Sequence, residues 1–359
     1  MTYSTGNTFQ ESGRSNAGNP DMSATLDTIV IGGSAGSFTA LKTILPDLDR
    51  SFPATILICQ HIGGHGETRA IDLLQNLTDL PLRQAFDGMS VEPGCAIFAP
   101  PDRHMMLGAG HLHLRRGPHE NNFRPAIDPL FRSVAVYRGS RAVGLILSGL
   151  MDDGAAGARA LYRTGGRILV QEPLEAEFPD MPNAAKLAVP AAEPVPLDRI
   201  AARLIDLAGA KAEAPGKVPW DIGVELKISS LEAASMKNED RLGELSPYNC
   251  PHCNGVLWEI EDGPLIRYRC HTGHAYTIDA LGEAQEDAMD RGLFDALRAH
   301  RGRAALIQKM ADNRSDTKGS GFLERRAAAV HEDADMIEEI IKRRHETRAG
   351  QSDPDRPMQ

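Results

Sequence analysis

The chain has 359 residues, 42% of them hydrophobic, and a formal net charge of -10. That length holds two or three domains, the acidic balance argues against a general nucleic-acid binder, and no apolar run reaches the ~18 residues needed to cross a bilayer. Five cysteines, three of them crowded between positions 250 and 270, fit a reducing compartment and a metal site better than a disulfide framework, so the expected location is the cytoplasm.

In chain order, residues 1–24 are polar and lack the apolar centre of a secretory signal; they are expected to be a disordered lead-in. Residues 25–208 alternate apolar runs with helical patterns. "TIVIGG" reads as a strand, followed by Phe38, Leu41, Ile44 and Leu45 at helical spacing. "ATILICQ" is a near-continuous apolar run, as in a strand buried on both faces. "AIFAP" is a short strand and "HLHLRR" a hairpin arm. "AIDPLFRSVAVY" is helical, "AVGLILSG" a buried strand, "GAAGARALYRTG" a helix ending at Gly165 and "RILVQ" a strand. This alternation predicts an α/β domain, a doubly wound and mostly parallel sheet with helices on both faces.

Residues 209–246 are expected to be a linker, with "AKAEAPGKVP" rich in Ala, Pro and charge. Residues 247–276 hold "CPHCNGVLWEIEDGPLIRYRCHTGH". A C-x-x-C knuckle followed by a Cys/His knuckle is the spacing of a zinc ribbon, because thiolates and imidazole suit tetrahedral zinc. Cys250, Cys253, Cys270 and His274 are the expected ligands. His271 adjoins Cys270 and cannot easily turn back onto the same ion. Four protein ligands would make the site structural. Residues 277–348 are expected to form an α-helical hairpin, with Leu281, Ala284, Ala288, Leu293, Leu297, Leu306 and Met310 as one stripe. Phe322, Val330, Met336, Ile337 and Ile340 form the other, and "DNRSDTKGSG" is the turn. Residues 349–359 form a polar tail expected to be disordered.

The stretch "IVIGGSAGS" carries the chemistry. A dinucleotide fingerprint needs a second glycine where Ser34 stands, and no acidic residue follows the next strand at the right distance. The stretch does satisfy G-x-S-x-G, in which small neighbours permit a sharp turn that exposes the serine at a strand's C-terminal end. The helix that follows offers free N–H groups to an oxyanion; alternatively, the serine only caps that helix. A serine nucleophile needs a base and a group that orients it. "ILICQHIGG" puts His61 at one strand tip, and "LILSGLMDDGAAG" puts Asp152 and Asp153 at another. In open α/β sheets such tips share one crevice. The chain order Ser, His, Asp differs from the Ser, Asp, His order of α/β-hydrolases.

Residues 25 to about 208 resemble the catalytic domain of the bacterial chemotaxis protein-glutamate methylesterases (CheB type). The resemblance rests on "IVIGGSAGS", "LICQHI", "AIFAPPDRHMML", "NNFRPAIDPLFRSVA", "LILSGLMDDGAAG" and "VQEPLEAEFPDMPNAA", in that order. It implies a triad of Ser34, His61 and Asp153, the last chosen because it directly precedes the glycine of "DGAAG". It also implies an oxyanion hole from the backbone N–H groups of Ala35 and Leu150. The implied activity is hydrolysis of glutamate methyl esters on methyl-accepting chemotaxis receptors, or on chemosensory-like signalling proteins, with deamidation of glutamines as a second activity. No cofactor is implied for catalysis, nor a nucleic-acid partner, nor insertion in a membrane. Other readings of the chain are a scaffold for a signalling partner, which intact Ser34, His61 and Asp153 argue against, and a serine esterase with a different substrate. The C-terminal stripes also permit an oligomer.

Three features depart from the family pattern. Only a short polar segment stands where full-length relatives carry a receiver domain, so control by an attached receiver is not expected. The turn has Gly33 before the serine and Ser37 in place of a final glycine. "QHIGGHGE" lacks the more usual proline after the histidine. Arg103, Arg124 and Asp128 are candidates to position a polar substrate peptide, or equally to form a domain-internal network.

Overall fold

The computed structural model describes residues 24–61, 67–231, 242–314 and 317–351. The polar lead-in up to residue 23 and the tail from 352 lie outside the described residues. Strand β1 (Thr28–Gly33) is buried along its whole length, as is β2 (Thr55–Gln60). Both are central in a seven-stranded sheet of order β3-β4-β2-β1-β7-β8-β9. Its other members are β3 (Leu82–Gln84), β4 (Cys95–Phe98), β7 (Ala142–Ile146), β8 (Arg167–Gln171) and β9 (Glu193–Val195), and every neighbouring pair is parallel.

Alternation along the strands divides two cores. Val30, Leu57, Cys59, Ile97, Ile146 and Ile168 face one layer, with Leu130 and Phe131 of α3 (Ile127–Tyr137), Leu161 of α4 (Ala155–Arg163) and Ala185 of α5 (Asp180–Ala188). Ile29, Ile31, Ile56, Ile58, Phe98 and Leu145 face the other. They meet Leu41 of α1 (Ser37–Ile44), Leu74 of α2 (Glu67–Gln75) and Leu204 of α6 (Ile200–Leu207). The sheet is therefore doubly wound. Strand order reverses at β1, where the chain winds outward through β2 on one side and β7 on the other. A crevice forms at such a switch point, beyond the carboxyl ends of the strands. A small hairpin, β5 (His104–Leu107) with β6 (Leu112–Arg115), stands apart from this sheet.

Residues 209–246, expected as linker, contain helix α7 (Trp220–Ser229), with Ile222, Val224, Glu225, Leu226 and Ile228 buried. The cysteine-rich segment forms a four-stranded antiparallel sheet: β10 (Glu244–Asn249), β11 (Val256–Asp262), β12 (Leu265–Cys270) and β13 (Ala275–Thr277). It is not a tethered bead. Arg267 and Arg269 of β12 reach the buried carboxylates of Glu225 on α7 and Glu120, which also hold Arg132 of α3. Burial alone would raise the Glu120 carboxyl, but Arg132 and Arg269 pull it down to about 2.

Two long antiparallel helices follow, Ile278–Asp312 and Thr317–Gln351. The second runs through residues 349–351, beyond the expected start of the tail. Thr277 caps the first, accepting from Ala280 N–H. The contact faces keep part of the expected stripes: Leu281, Ala284 and Leu297 are buried, and Leu293, Val330 and Ile337 pack against the buried clusters. Leu306, Met310, Phe322, Met336 and Ile340 are exposed, whereas Ile307, Ala311, Leu323, Ala327, Ala334 and Ile341 are buried. Alanines and larger apolar side chains share the seam. Among the described residues, no helix is long and apolar enough to cross a membrane.

Candidate active site and metal centre

Ser34 follows β1 at the switch point, His61 follows β2, and Asp153 lies in the loop after β7. Parallel pairing brings these three ends to one edge. The turn after β1 is tight: Gly36 has φ 77°, left-handed, and a Cβ there would lie 2.6 Å from Ser148 Oγ. Ser34 N–H donates to Ser148 O at 3.0 Å, tying the turn to the loop after β7. A Cβ on Gly149 would lie 2.9 Å from Ser34 Cβ, so that loop passes directly against the serine. The N–H groups of Ala35 and Leu150 make no hydrogen bond among the described residues. They are free donors on the two segments that flank Ser34.

The unusual residues of the turn fit each other. Gly33 has room only for hydrogen, because a Cβ would meet Ser37 Cβ at 2.5 Å. Ser37 occupies that space, donates to Ser34 O at 2.5 Å and accepts from Gln60 Nε2 at 2.8 Å. The serine turn is thereby linked to the residue before His61.

His61 Nε2 lies 3.0 Å from Asp153 Oδ2, and both side chains are buried. Its ring stacks on Phe123 with centroids 3.7 Å apart. Its Nδ1 is buried and has no hydrogen-bond partner among the described residues. Asp153 Oδ2 also accepts from Ile127 N–H at 2.7 Å; Oδ1 accepts from Asn121 Nδ2 at 2.9 Å and Asp128 N–H at 3.3 Å. The first turn of α3 thus points its free donors at the carboxylate. Asp152 instead accepts from Thr277 Oγ1 at 2.6 Å, and burial pushes its carboxyl up to about 6.

Of the candidate substrate-positioning residues, Asp128 is buried. It accepts from Gly154 and Gly157 N–H at the start of α4 and from Asn121. Burial and the neighbouring charge of Asp153 push it up to about 7. Arg124 is held by Asp102 and by the carbonyl of Gly117. Arg103 is exposed, on the turn after β4. Asn121, Phe123 and Gln60 carry no distinct functional signal in sequence, and Ser37 stands out there only as a departure from a glycine-rich turn. The adjacent asparagines of "ENNF" are a turn signal, but which acceptor a turn side chain meets is decided by distant segments.

The sulfurs of Cys250, Cys253 and Cys270 and Nδ1 of His274 all lie within 4.8 Å of one another. Cys253 to Cys270 is 3.6 Å, Cys250 to His274 3.7 Å and Cys270 to His274 3.5 Å. Bond lengths of about 2.3 Å to sulfur and 2.0–2.1 Å to nitrogen around a tetrahedral ion give ligand separations of about 3.5–3.8 Å. The spacing therefore fits zinc. His271 instead packs edge-on against Trp258. Tyr276 Oη lies 3.2 Å from Cys250 Sγ and 2.7 Å from His252 Nδ1, a support for the ligand set.

Part of the chain is similar to known proteins. Residues 29–204 match the family model for CheB methylesterase. A protein-glutamate methylesterase/protein-glutamine glutaminase 2 of Xanthomonas oryzae pv. oryzae is 38% identical over 183 residues, which are 50% of this chain and 51% of that protein. The chain thus spans about half the length of such relatives. The crystal structure of the Thermotoga maritima CheB methylesterase catalytic domain is 30% identical, with a TM-score of 0.49, covering 51% of this chain and 98% of that one. A shorter relative from Leptospira interrogans is 34% identical over 182 residues, and the match covers 94% of its length. With nearly all of that relative matched, and the same segment recognised by the family model, the chain belongs to the CheB methylesterase family.

Proposed function

We propose that this chain is a serine hydrolase that demethylates glutamate methyl esters, and deamidates glutamines, on methyl-accepting chemotaxis receptors or related signalling proteins in the cytoplasm. The observation that carries this reading is the buried His61–Asp153 pair beside the Ser34 turn at the sheet's switch point. The names of its relatives support the substrate class.

Asp153 accepts from His61 Nε2–H, which leaves Nδ1 as the nitrogen that takes a proton. His61 removes the Ser34 Oγ proton as Oγ bonds to the ester carbonyl carbon. The carbonyl oxygen becomes an oxyanion held by the Ala35 and Leu150 N–H groups, each worth about 3 kcal/mol. The C–OCH3 bond breaks, His61 returns its proton, and methanol leaves. Water then repeats the sequence on the acyl-enzyme, freeing glutamate; with a glutamine substrate the first leaving group is ammonia. These steps use only side chains, backbone N–H groups and water.

In the same reading, Arg103 contacts the substrate chain, because its turn follows β4 and lies at the same sheet edge. Arg124 and Asp128 spend their polar atoms inside the protein. The division into a catalytic domain at 25–208, a Cys/His module at 247–276 and a hairpin from 277 is retained, with 209–246 carrying the packed helix α7. Zinc bound by Cys250, Cys253, Cys270 and His274 holds the module together.

The test is methanol release from methylated receptor by wild type and Ser34→Ala. The expected loss is at least about 10³-fold; equal rates would refute the reading. Turnover of a small ester with none of receptor would point to a serine esterase with another substrate.

A further inference from the structure

Segment 119–123 runs between the catalytic domain and the C-terminal sheet. Ala275 N–H donates to His119 O at 3.3 Å, and Asn121 N–H donates to Ala275 O at 2.8 Å, so Glu120 pairs in parallel with Ala275. Glu120 and Phe123 close a two-residue turn whose central residues, Asn121 and Asn122, have φ of 50° and 68°. Two successive left-handed residues are the pattern of a type I′ turn, which asparagine tolerates.

The turn buries the Asn121 side chain against the candidate site. Its Nδ2 donates to Asp153 Oδ1 at 2.9 Å and to Asp128 Oδ2 at 2.8 Å, and its Oδ1 accepts from Thr277 N–H at 3.1 Å. A carboxamide can rotate by half a turn and exchange its oxygen for its NH2 group. Here such a flip would aim the oxygen at two carboxyl groups and the NH2 group at an N–H. The Thr277 N–H therefore dictates that the NH2 group faces Asp153. With Oδ1 held in this way, Oδ2 is the oxygen presented to His61. Thr277 belongs to the last strand of the Cys/His sheet, immediately after Tyr276, whose hydroxyl touches Cys250.

We infer that Asn121 is a positioning residue for the catalytic carboxylate, and that the C-terminal sheet orients it through the Thr277 N–H. The inference rests on the role proposed above for Asp153. It makes the module a working part of the catalytic site and not an appendage.

The test compares Thr277→Pro with Thr277→Ala in the full-length, zinc-loaded protein. Alanine removes the hydroxyl, and proline removes the N–H as well. Thr277 has φ -77° and follows a strand residue, so proline fits the backbone. Its N–H is spent on Asn121, so this substitution breaks no ladder bond. The readouts are kcat and KM for methanol release, zinc content, and the far-downfield proton resonance of the His61–Asp153 hydrogen bond. Thr277→Pro is expected to fall at least about tenfold in kcat below Thr277→Ala, with KM within about twofold and zinc retained. The resonance should weaken or vanish. Equal kcat values with the resonance intact would overturn the inference. If Thr277→Pro does not fold, Asn121→Gly decides: glycine accepts the left-handed backbone and removes only the amide. A kcat within about twofold of wild type with an unchanged resonance overturns the inference, and a loss like that expected for proline supports it. Should Ser34→Ala match wild type, the hydrolase reading fails, yet the resonance still reports whether the sheet orients Asp153.

Discussion

Replacing Glu225 by glutamine should loosen the C-terminal sheet from the catalytic domain. Glu225 accepts from Arg267 at 2.7 and 2.8 Å and from Arg269 at 3.0 Å, and lies 3.2 Å from Arg132. Glu120 shares Arg132 and Arg269, and Asp262 adds a contact to Arg267 at 3.3 Å. These arginines and carboxylates form one network in which every side chain is at most 8% exposed, and Asp262 extends it to Arg159 at 2.7 Å. Glu225→Gln keeps the shape but leaves one positive charge unmatched and turns an NH2 group toward arginine donors. Breaking a buried pair from one side costs about 3–5 kcal/mol. Tryptophan fluorescence during urea unfolding is the assay, because the chain has two tryptophans, Trp220 on α7 and Trp258 on β11, one on each of the elements the network joins or adjoins. The variant's fluorescence transition should move to lower urea by that free energy. A cost under about 1 kcal/mol would refute the claim that the network carries the attachment. Acid should weaken the same junction. The Glu120 carboxyl is drawn from its ordinary 4.5 to about 2, and Glu225 is also held well below its ordinary range. For each, burial works against the shift and the arginines overcome it. Their contribution is therefore complete above about pH 4.5 and is lost as pH falls toward 2.

Asp128 has the opposite sign: burial and Asp153 raise its carboxyl to about 7, so its contribution to stability is present at low pH and declines as pH rises through about 7. Arg132 opposes that shift and Glu120 reinforces it. The stability of Asp128→Asn relative to wild type, measured by denaturant melts, should therefore increase from pH 4 to pH 8, and a flat difference would contradict this reading. Cys250→Ser should abolish stoichiometric zinc binding, measured by metal analysis of the purified protein; an unchanged zinc content would end the metal proposal. Gly33→Ala should destabilise by about 1–3 kcal/mol through overpacking against Ser37, and adding Ser37→Gly should restore most of that loss in a double-mutant cycle of melts. Strict additivity would show that the two positions do not share one space.

The central sheet is legible in sequence because its strands are buried on both faces and read as unbroken apolar runs. β3 and β9 are harder to see: each has three residues, and "LRQ" and "EPV" leave most of their side chains at least partly exposed. Helix α7 hides for a different reason. It is covered nearly all round, so Ile222, Val224, Leu226 and Ile228 alternate instead of marking one helical face, and the buried acid between them looks like a surface charge. In the hairpin, some bulky side chains stay exposed while alanines share the contact with Leu297, Ile307, Leu323 and Ile341.

The site divides along the same physical line. A serine and a histidine directly after two strands, and an aspartate in the loop after a third, can be located from sequence, because parallel strands in one sheet end at one edge. Their supports cannot. Asn121 takes its orientation from a residue 156 positions away, and nothing near it in sequence specifies that Thr277 will present an N–H. Ser37 looks like a departure from a glycine-rich turn until the missing Cβ of Gly33 is set beside it. The proposed reacting groups are placed by where secondary structure ends, which is local information. The groups that hold them are fixed by packing between segments, and that is where this chain joins its C-terminal sheet to the catalytic aspartate proposed above.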